Sequence, residues 1–120
     1  MKKSEKRPVI SIHEYQLEEG IDGKELIAAV NEAERRKLFA LPGLKAHFLV
    51  KAIRGRHKGL FAMVWYYESK TDWQRLWGSV DKPKTQTEYP AQWKIWEKEL
   101  LAPLLDRDPD AIDFTAYEVV

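Results

Sequence analysis

The chain contains no cysteine. That single absence removes thiol nucleophiles, cysteine-ligated metal clusters, thiol redox sensing and a disulfide scaffold, and leaves nothing that calls for an oxidising compartment. A dominant charge is missing as well. Twenty Lys and Arg against 19 Asp and Glu leave a formal net charge of +1, too little for a global field that would hold nucleic acid or an anionic membrane. No stretch approaches the ~20 apolar residues of a membrane span, and the basic start MKKSEKRP is not followed by the apolar run of a secretory signal. The expectation is a cytoplasmic protein without nucleic-acid or membrane partners. Histidine is scarce: His13, His47 and His57 are dispersed and have no carboxylates at ligand spacing, so no metal site is readable. A glycine-rich phosphate cradle, a serine nucleophile elbow and an HExxH motif are all missing, and no cofactor is expected.

What the chain does have is aromatic surface. Five Trp and five Tyr in 120 residues build either a large core or flat apolar pockets with a few polar handles. The length suits one domain, residues 1–120, with 1–8 expected to be mobile. The least polar stretch is LFAMVWYY at Leu60–Tyr67. At strand period it places Leu60, Ala62, Val64 and Tyr66 on one side and Phe61, Met63, Trp65 and Tyr67 on the other. Both faces of this strand need a cover.

Around it the periodicities alternate. Val9–Leu17 reads as a first strand. Asp22 and Glu25 form a capping box that opens a helix from Gly23 to Leu41, with Leu26, Ile27, Val30, Ala33 and Leu38 as its apolar stripe. Pro42 and Gly43 end it and start a strand over Leu44–Arg54, and the glycine-bounded GRHKG turn leads into the central strand. Ser69 with Asp72 opens a second helix carrying Trp73, Leu76 and Trp77. The polar segment Gly78–Glu88 is long enough for a loop or lid. Pro90 then starts a helical stretch with Trp93, Trp96, Leu100, Leu101 and Leu104 inward and Pro103 ending or kinking it, before a last strand over Ile112–Val120.

Strand, helix, strand, strand, broken helix, strand folds by right-handed crossovers into an α+β, ferredoxin-like four-stranded antiparallel sheet with helices on one face. The first and third strands lie centrally. Helices cover only one face of an apolar strand, so a two-fold homodimer pairing the sheets face to face is the expected cover for the other.

This pattern resembles the dimeric α+β-barrel superfamily, and within it the antibiotic-biosynthesis monooxygenases and their haem-degrading relatives. The resemblance rests on the element order, EEG at Glu18–Gly20, LPG at Leu41–Gly43 and VWYYESKTDWQRLW at Val64–Trp77. It implies a small ligand held between the sheet and the second helix of each subunit, and possible cofactor-independent oxygenation of an aromatic or quinol-like compound. It directs attention to His13 as a catalytic residue that orients or deprotonates the ligand, and to Trp73, Leu76 and Trp77 as the opposite wall. Tyr15, Trp65 and Tyr67, with Trp93 beyond the lid, complete the candidate substrate-binding set. Packing alone is the plainer reading of each of these side chains. The haem-degrading variant needs an axial histidine in or after the second helix, and this chain has none. TEYPAQWKIW at Thr87–Trp96 departs from the short helix common in the monooxygenases. Two alternatives stay open: a non-catalytic ligand-binding or interaction module, and an RNA-binding domain of the same element order that would stack bases on Trp65.

Overall fold

Alternating burial fixes which way each strand faces. A computed structural model describes residues 3–120. In β1 (Val9–Tyr15), Val9, Ser11 and Tyr15 are buried, while Ile10, Ile12 and Glu14 are half-buried on the other face. In β3 (Phe61–Tyr67), Met63, Trp65 and Tyr67 are buried. The other strands are β2 (Leu44–Lys51) and β4 (Asp113–Glu118), and the sheet order is β2-β3-β1-β4, antiparallel throughout. β1 and β3 are therefore central, as their composition requires. This is a ferredoxin-like α+β fold.

Helix α1 (Gly23–Arg35) starts where Asp22 accepts the backbone N–H groups of Lys24 and Glu25, at 2.9 and 3.3 Å, while Glu25 accepts that of Asp22 at 3.0 Å. It buries Leu26, Ala29, Val30 and Ala33, but Ile27 is exposed. The expected run to Leu41 stops six residues early. Lys37 adopts a left-handed backbone with φ 58°, and the N–H groups of Leu38 and Lys37 turn back to Ala33 O (2.9 Å) and Glu34 O (3.0 Å). That is a Schellman stop with lysine where glycine is usual, which is why the glycine signal at Gly43 pointed too far down the chain. Leu38, Phe39 and Leu41 still reach the core from the turn beyond. Gly43 itself is required: a Cβ there would sit 2.4 Å from the Asp72 Cβ, at a φ of 84°.

Helix α2 (Lys70–Trp77) is capped by Ser69, whose Oγ accepts the Asp72 N–H at 3.1 Å. Its start is tied to the sheet, because Lys70 and Arg7 both pair with Glu118 of β4, at 3.1 and 3.2 Å. The expectation of a mobile start covers residues 1–8. Residues 1–2 lie outside the described residues, Lys3–Lys6 form a 3-10 turn, and Arg7 O accepts the Lys70 N–H at 2.8 Å. The broken helix is α3 (Ala91–Ile95), continued by a wide π turn at Trp96–Leu101 and a 3-10 turn at Ala102–Leu104. Pro103 has no N–H to give and would clash with a regular preceding turn, which accounts for the break.

All helices lie against the face that carries Trp65. The opposite face is built from cross-strand rows: Phe48, Val64, Ile12 and Thr115 in one, Ala46, Tyr66, Ile10 and Tyr117 in the next. Phe48, Val50 and Tyr117 are exposed on it, at 57, 40 and 53 %. Among the described residues nothing covers this apolar face.

Candidate functional site

A solvent-connected cavity of about 360 Å³ lies between the sheet and α2, bordered above by Gly78, Ser79, Val80, Pro83 and Lys84 and from the side by α3 and its continuation. β1 contributes Ser11 and His13, β3 Tyr67, β4 Phe114 and Ala116, α2 Trp73 and Trp77, and α3 with its continuation Trp93 and Glu97. Local rules explain each direction. Odd-numbered positions of β1 and β3 face the helices, and Trp73 and Trp77 are four apart on one stripe of α2.

The aromatic walls are interlocked. Trp77 stands edge-on to Trp93 at 5.0 Å and to Tyr89 at 5.4 Å, and its Nε1–H donates to Tyr67 Oη at 3.1 Å. His13 sits among Trp65, Trp93 and Phe114, with ring centroids 5.8, 6.1 and 5.7 Å away. Its Nε2 shares a 3.1 Å hydrogen bond with Ser11 Oγ. Burial pulls its pKa down to about 4, so the imidazole is neutral near pH 7. A neutral imidazole held this way can orient a hydroxyl group; as a base toward a phenol it is poorly matched, by about 6 pK units.

Other members of the expected set fall elsewhere. Trp65 is fully buried against Phe39 and Trp93, at 4.9 and 5.0 Å, behind the cavity wall. Tyr15 is buried at the far end of β1, and burial drives its pKa upward. Leu76 points into the core one residue away from the Trp77 wall. None of these three lines the cavity, whereas His13, Tyr67, Trp73, Trp77 and Trp93 do. Trp65 also faces the helices, so it is not available for stacking bases on the open face of the sheet.

Sequence reasoning passed over the acidic corner. Glu97 lines the cavity beside Asp110, whose Oδ1 accepts the Tyr89 hydroxyl proton at 3.0 Å. Burial, then the charges of Asp110 and Asp108, raise the Glu97 pKa to about 7 against the opposing hydrogen bond from Trp93. The signal was present, since Glu97 follows Trp93 by four residues and shares its face. It was masked because the stripe through Trp96, Leu100 and Leu101 looked regular, while the π turn there widens the face that points inward.

The covering segment is pinned at several points. Lys84 N–H donates to Trp77 O at 2.8 Å, its Nζ to Arg75 O at 2.7 Å, and Thr85 and Glu88 cap a 3-10 turn. Gly78 opens it with φ 91°, where a Cβ would lie 2.5 Å from Lys82 O. Among the described residues no cluster of His, Asp or Glu could hold a metal ion, and no helix is long and apolar enough to cross a membrane.

No protein-family model matches the chain, and no curated protein does either. Solved structures do match along nearly its whole length. A hydroxynitrile lyase from Passiflora edulis superposes with a TM-score of 0.63 at 12% identity, covering 96% of this chain and 95% of that one. A candidate antibiotic biosynthesis monooxygenase from Bordetella bronchiseptica gives 0.61 at 16% identity, over 95% and 98%. SnoaB, a cofactor-independent oxygenase from Streptomyces nogalater, gives 0.57 at 11% identity, over 95% and 94%. At such identities the likeness is one of fold. The chain thus has the ferredoxin-like α+β fold of the antibiotic-biosynthesis-monooxygenase-like proteins.

Proposed function

We propose that this chain is a homodimeric small-molecule-binding protein whose cavity receives a flat hydroxyarene or quinol-like compound, and that it acts on that compound as a cofactor-independent monooxygenase. The observation that carries the reading is the cavity itself: indole walls from Trp73, Trp77 and Trp93 face a neutral, hydrogen-bonded imidazole across about 360 Å³. Indole walls favour flat electron-rich rings, and His13 with Ser11 offers a polar handle for a ring hydroxyl. Phe114, 62 % exposed at the rim, extends the apolar surface toward solvent.

In this reading the substrate is its own reductant: one atom of dioxygen becomes a ring carbonyl and the other leaves as water, which takes one hydrogen from that ring carbon and one from the ring hydroxyl as the hydroxyarene becomes a quinone. His13 orients the hydroxyl group, and its low basicity assigns it no larger proton-transfer role. A hydroxynitrile lyase has a similar fold, so it is the cavity, not the fold, that supports this reading. The homodimer follows from the uncovered face around Phe48, Val64 and Ile12, for which a second copy of the same sheet is a self-complementary cover.

Oxygen uptake with a series of naphthols and hydroquinones, compared between the parent and His13→Ala, tests this function. The reading predicts uptake by the parent and a fall of about tenfold or more in the variant. Saturable binding of the same compounds without uptake reduces the protein to a ligand-binding module, and equal uptake by both proteins removes His13 from the reaction.

A further inference from the structure

The cavity is apolar on three sides and acidic on the fourth, and that asymmetry bears on what can enter. We propose that Glu97 sets which aromatic ligands the cavity favours: uncharged hydroxyarenes throughout the neutral range, and aryl carboxylates more strongly while Glu97 is protonated than once it is ionised. The proposal rests on the ring-binding reading above and adds the ligand class to it.

The geometry places Glu97 on the same stripe as Trp93, so a ring lying against that indole brings its substituents to the carboxyl group. The groups facing Glu97 set its charge. Asp110 and Asp108 approach from the Pro109–Ala111 turn, and both oppose its ionisation. Tyr67 and His13 face this space from β3 and β1, Tyr15 is buried behind it within electrostatic reach of Glu97, and all three carry no charge near pH 7. Tyr89 spends its proton on Asp110. Of the two lysines on the covering segment, Lys84 lines the cavity, and its Nζ donates to Arg75 O. Lys94 and Lys98 flank a second recess that Glu97 also borders, with Lys94 Nζ donating to Thr87 O. A ligand anion in the main cavity therefore meets two carboxylates and one engaged ammonium.

The sign of the pH effect follows. Glu97 is neutral below about pH 7 and ionised above it, whereas aryl carboxylates, with pKa near ~4, remain ionised across that range. Only the protein changes charge. At a separation of several ångströms and an intermediate dielectric, one added like charge is enough to weaken binding by about tenfold.

Equilibrium dialysis of 2-naphthol and 2-naphthoate against the parent, Glu97→Gln and Asp110→Asn, each at about pH 5.5 and about pH 8, tests this. For the parent, 2-naphthol should bind equally at both pH values, while 2-naphthoate should bind about tenfold more weakly at the higher one. Glu97→Gln should make 2-naphthoate binding independent of pH. Asp110→Asn should move the midpoint to lower pH by removing a charge that opposes ionisation. Equal 2-naphthoate binding by the parent at both pH values overturns the proposal, and so does a pH dependence that persists in Glu97→Gln; in either case bound 2-naphthol leaves the ring-binding reading standing. If the parent binds neither compound, that reading falls and the proposal falls with it. The parent's own pH comparison needs no variant to fold.

Discussion

Three buried polar atoms have no protein hydrogen-bond partner among the described residues: Tyr15 Oη, Trp65 Nε1 and Trp96 Nε1. A buried hydroxyl left unpaired costs about 1–3 kcal/mol, so Tyr15→Phe should leave stability unchanged or raise it by about 1 kcal/mol in urea unfolding. A loss of that size would mean that the hydroxyl has a partner and a role. His13 and Glu97 make opposite predictions with pH. The folded-state pKa of His13 lies below the ordinary imidazole value of 6.5, at about 4, so its contribution is intact above 6.5 and is lost as pH falls through that window. The size is on the order of 3 kcal/mol. Glu97 is raised to about 7, so its contribution is intact below 4.5 and is lost as pH rises through about 7. His13→Phe should therefore flatten the acid limb of a denaturation-midpoint profile, and Glu97→Gln should raise stability on the alkaline side. If each profile tracks the parent, neither residue is as desolvated as its surroundings imply.

At the scale of elements, the helix N-caps and strand periods were legible because they depend on neighbours within a few residues, although Ser69 caps its helix without the reciprocal bond of a capping box. Asp22 with Glu25, and Ser69 with Asp72, start their helices where the sequence places them. Helix stops were harder to read. Lys37 takes a left-handed conformation at a stop closed by backbone hydrogen bonds, with Leu38 and Phe39 entering the core just beyond it, and nothing in its side chain announces it. Lys37→Gly should relieve that strain and raise stability by about 0.5–1 kcal/mol, measured by thermal or urea unfolding. A loss would show that the lysine side chain makes a compensating contact. The π turn after Ile95 is the same lesson at the site. A regular 3.6-residue period already puts Trp93, Trp96 and Glu97 on one face, but in a hydrophobic pattern the indoles and leucines of that stripe outweigh a single carboxyl group, and the π turn widens the face further. That is why five of the eight proposed site residues line the cavity while the carboxyl group beside them went unread.

For the whole molecule, the central strand was the informative feature. Its two apolar faces required two covers, and the chain supplies one; the other face, with Phe48, Val50 and Tyr117 exposed, is left open. Val64→Lys, at the middle of the row Phe48, Val64 and Ile12, places a charge where the account puts the two-fold contact. Light scattering should give twice the chain mass for the parent and the single-chain mass for the variant, with the cavity on the opposite face unaffected. A parent that is monomeric at all concentrations removes the paired sheets. What no local pattern could supply is the cavity itself, since it exists only where β1, β4, α2 and α3 meet. The central claim is that a flat hydroxyarene lies against Trp73, Trp77 and Trp93. Its most direct test is the indole region of a proton–nitrogen correlation spectrum as 2-naphthol is added. The indole N–H signals of those three residues should shift saturably while Trp96, sealed in the core, stays in place; unmoved signals for all three, or equal movement of Trp96, would contradict the account.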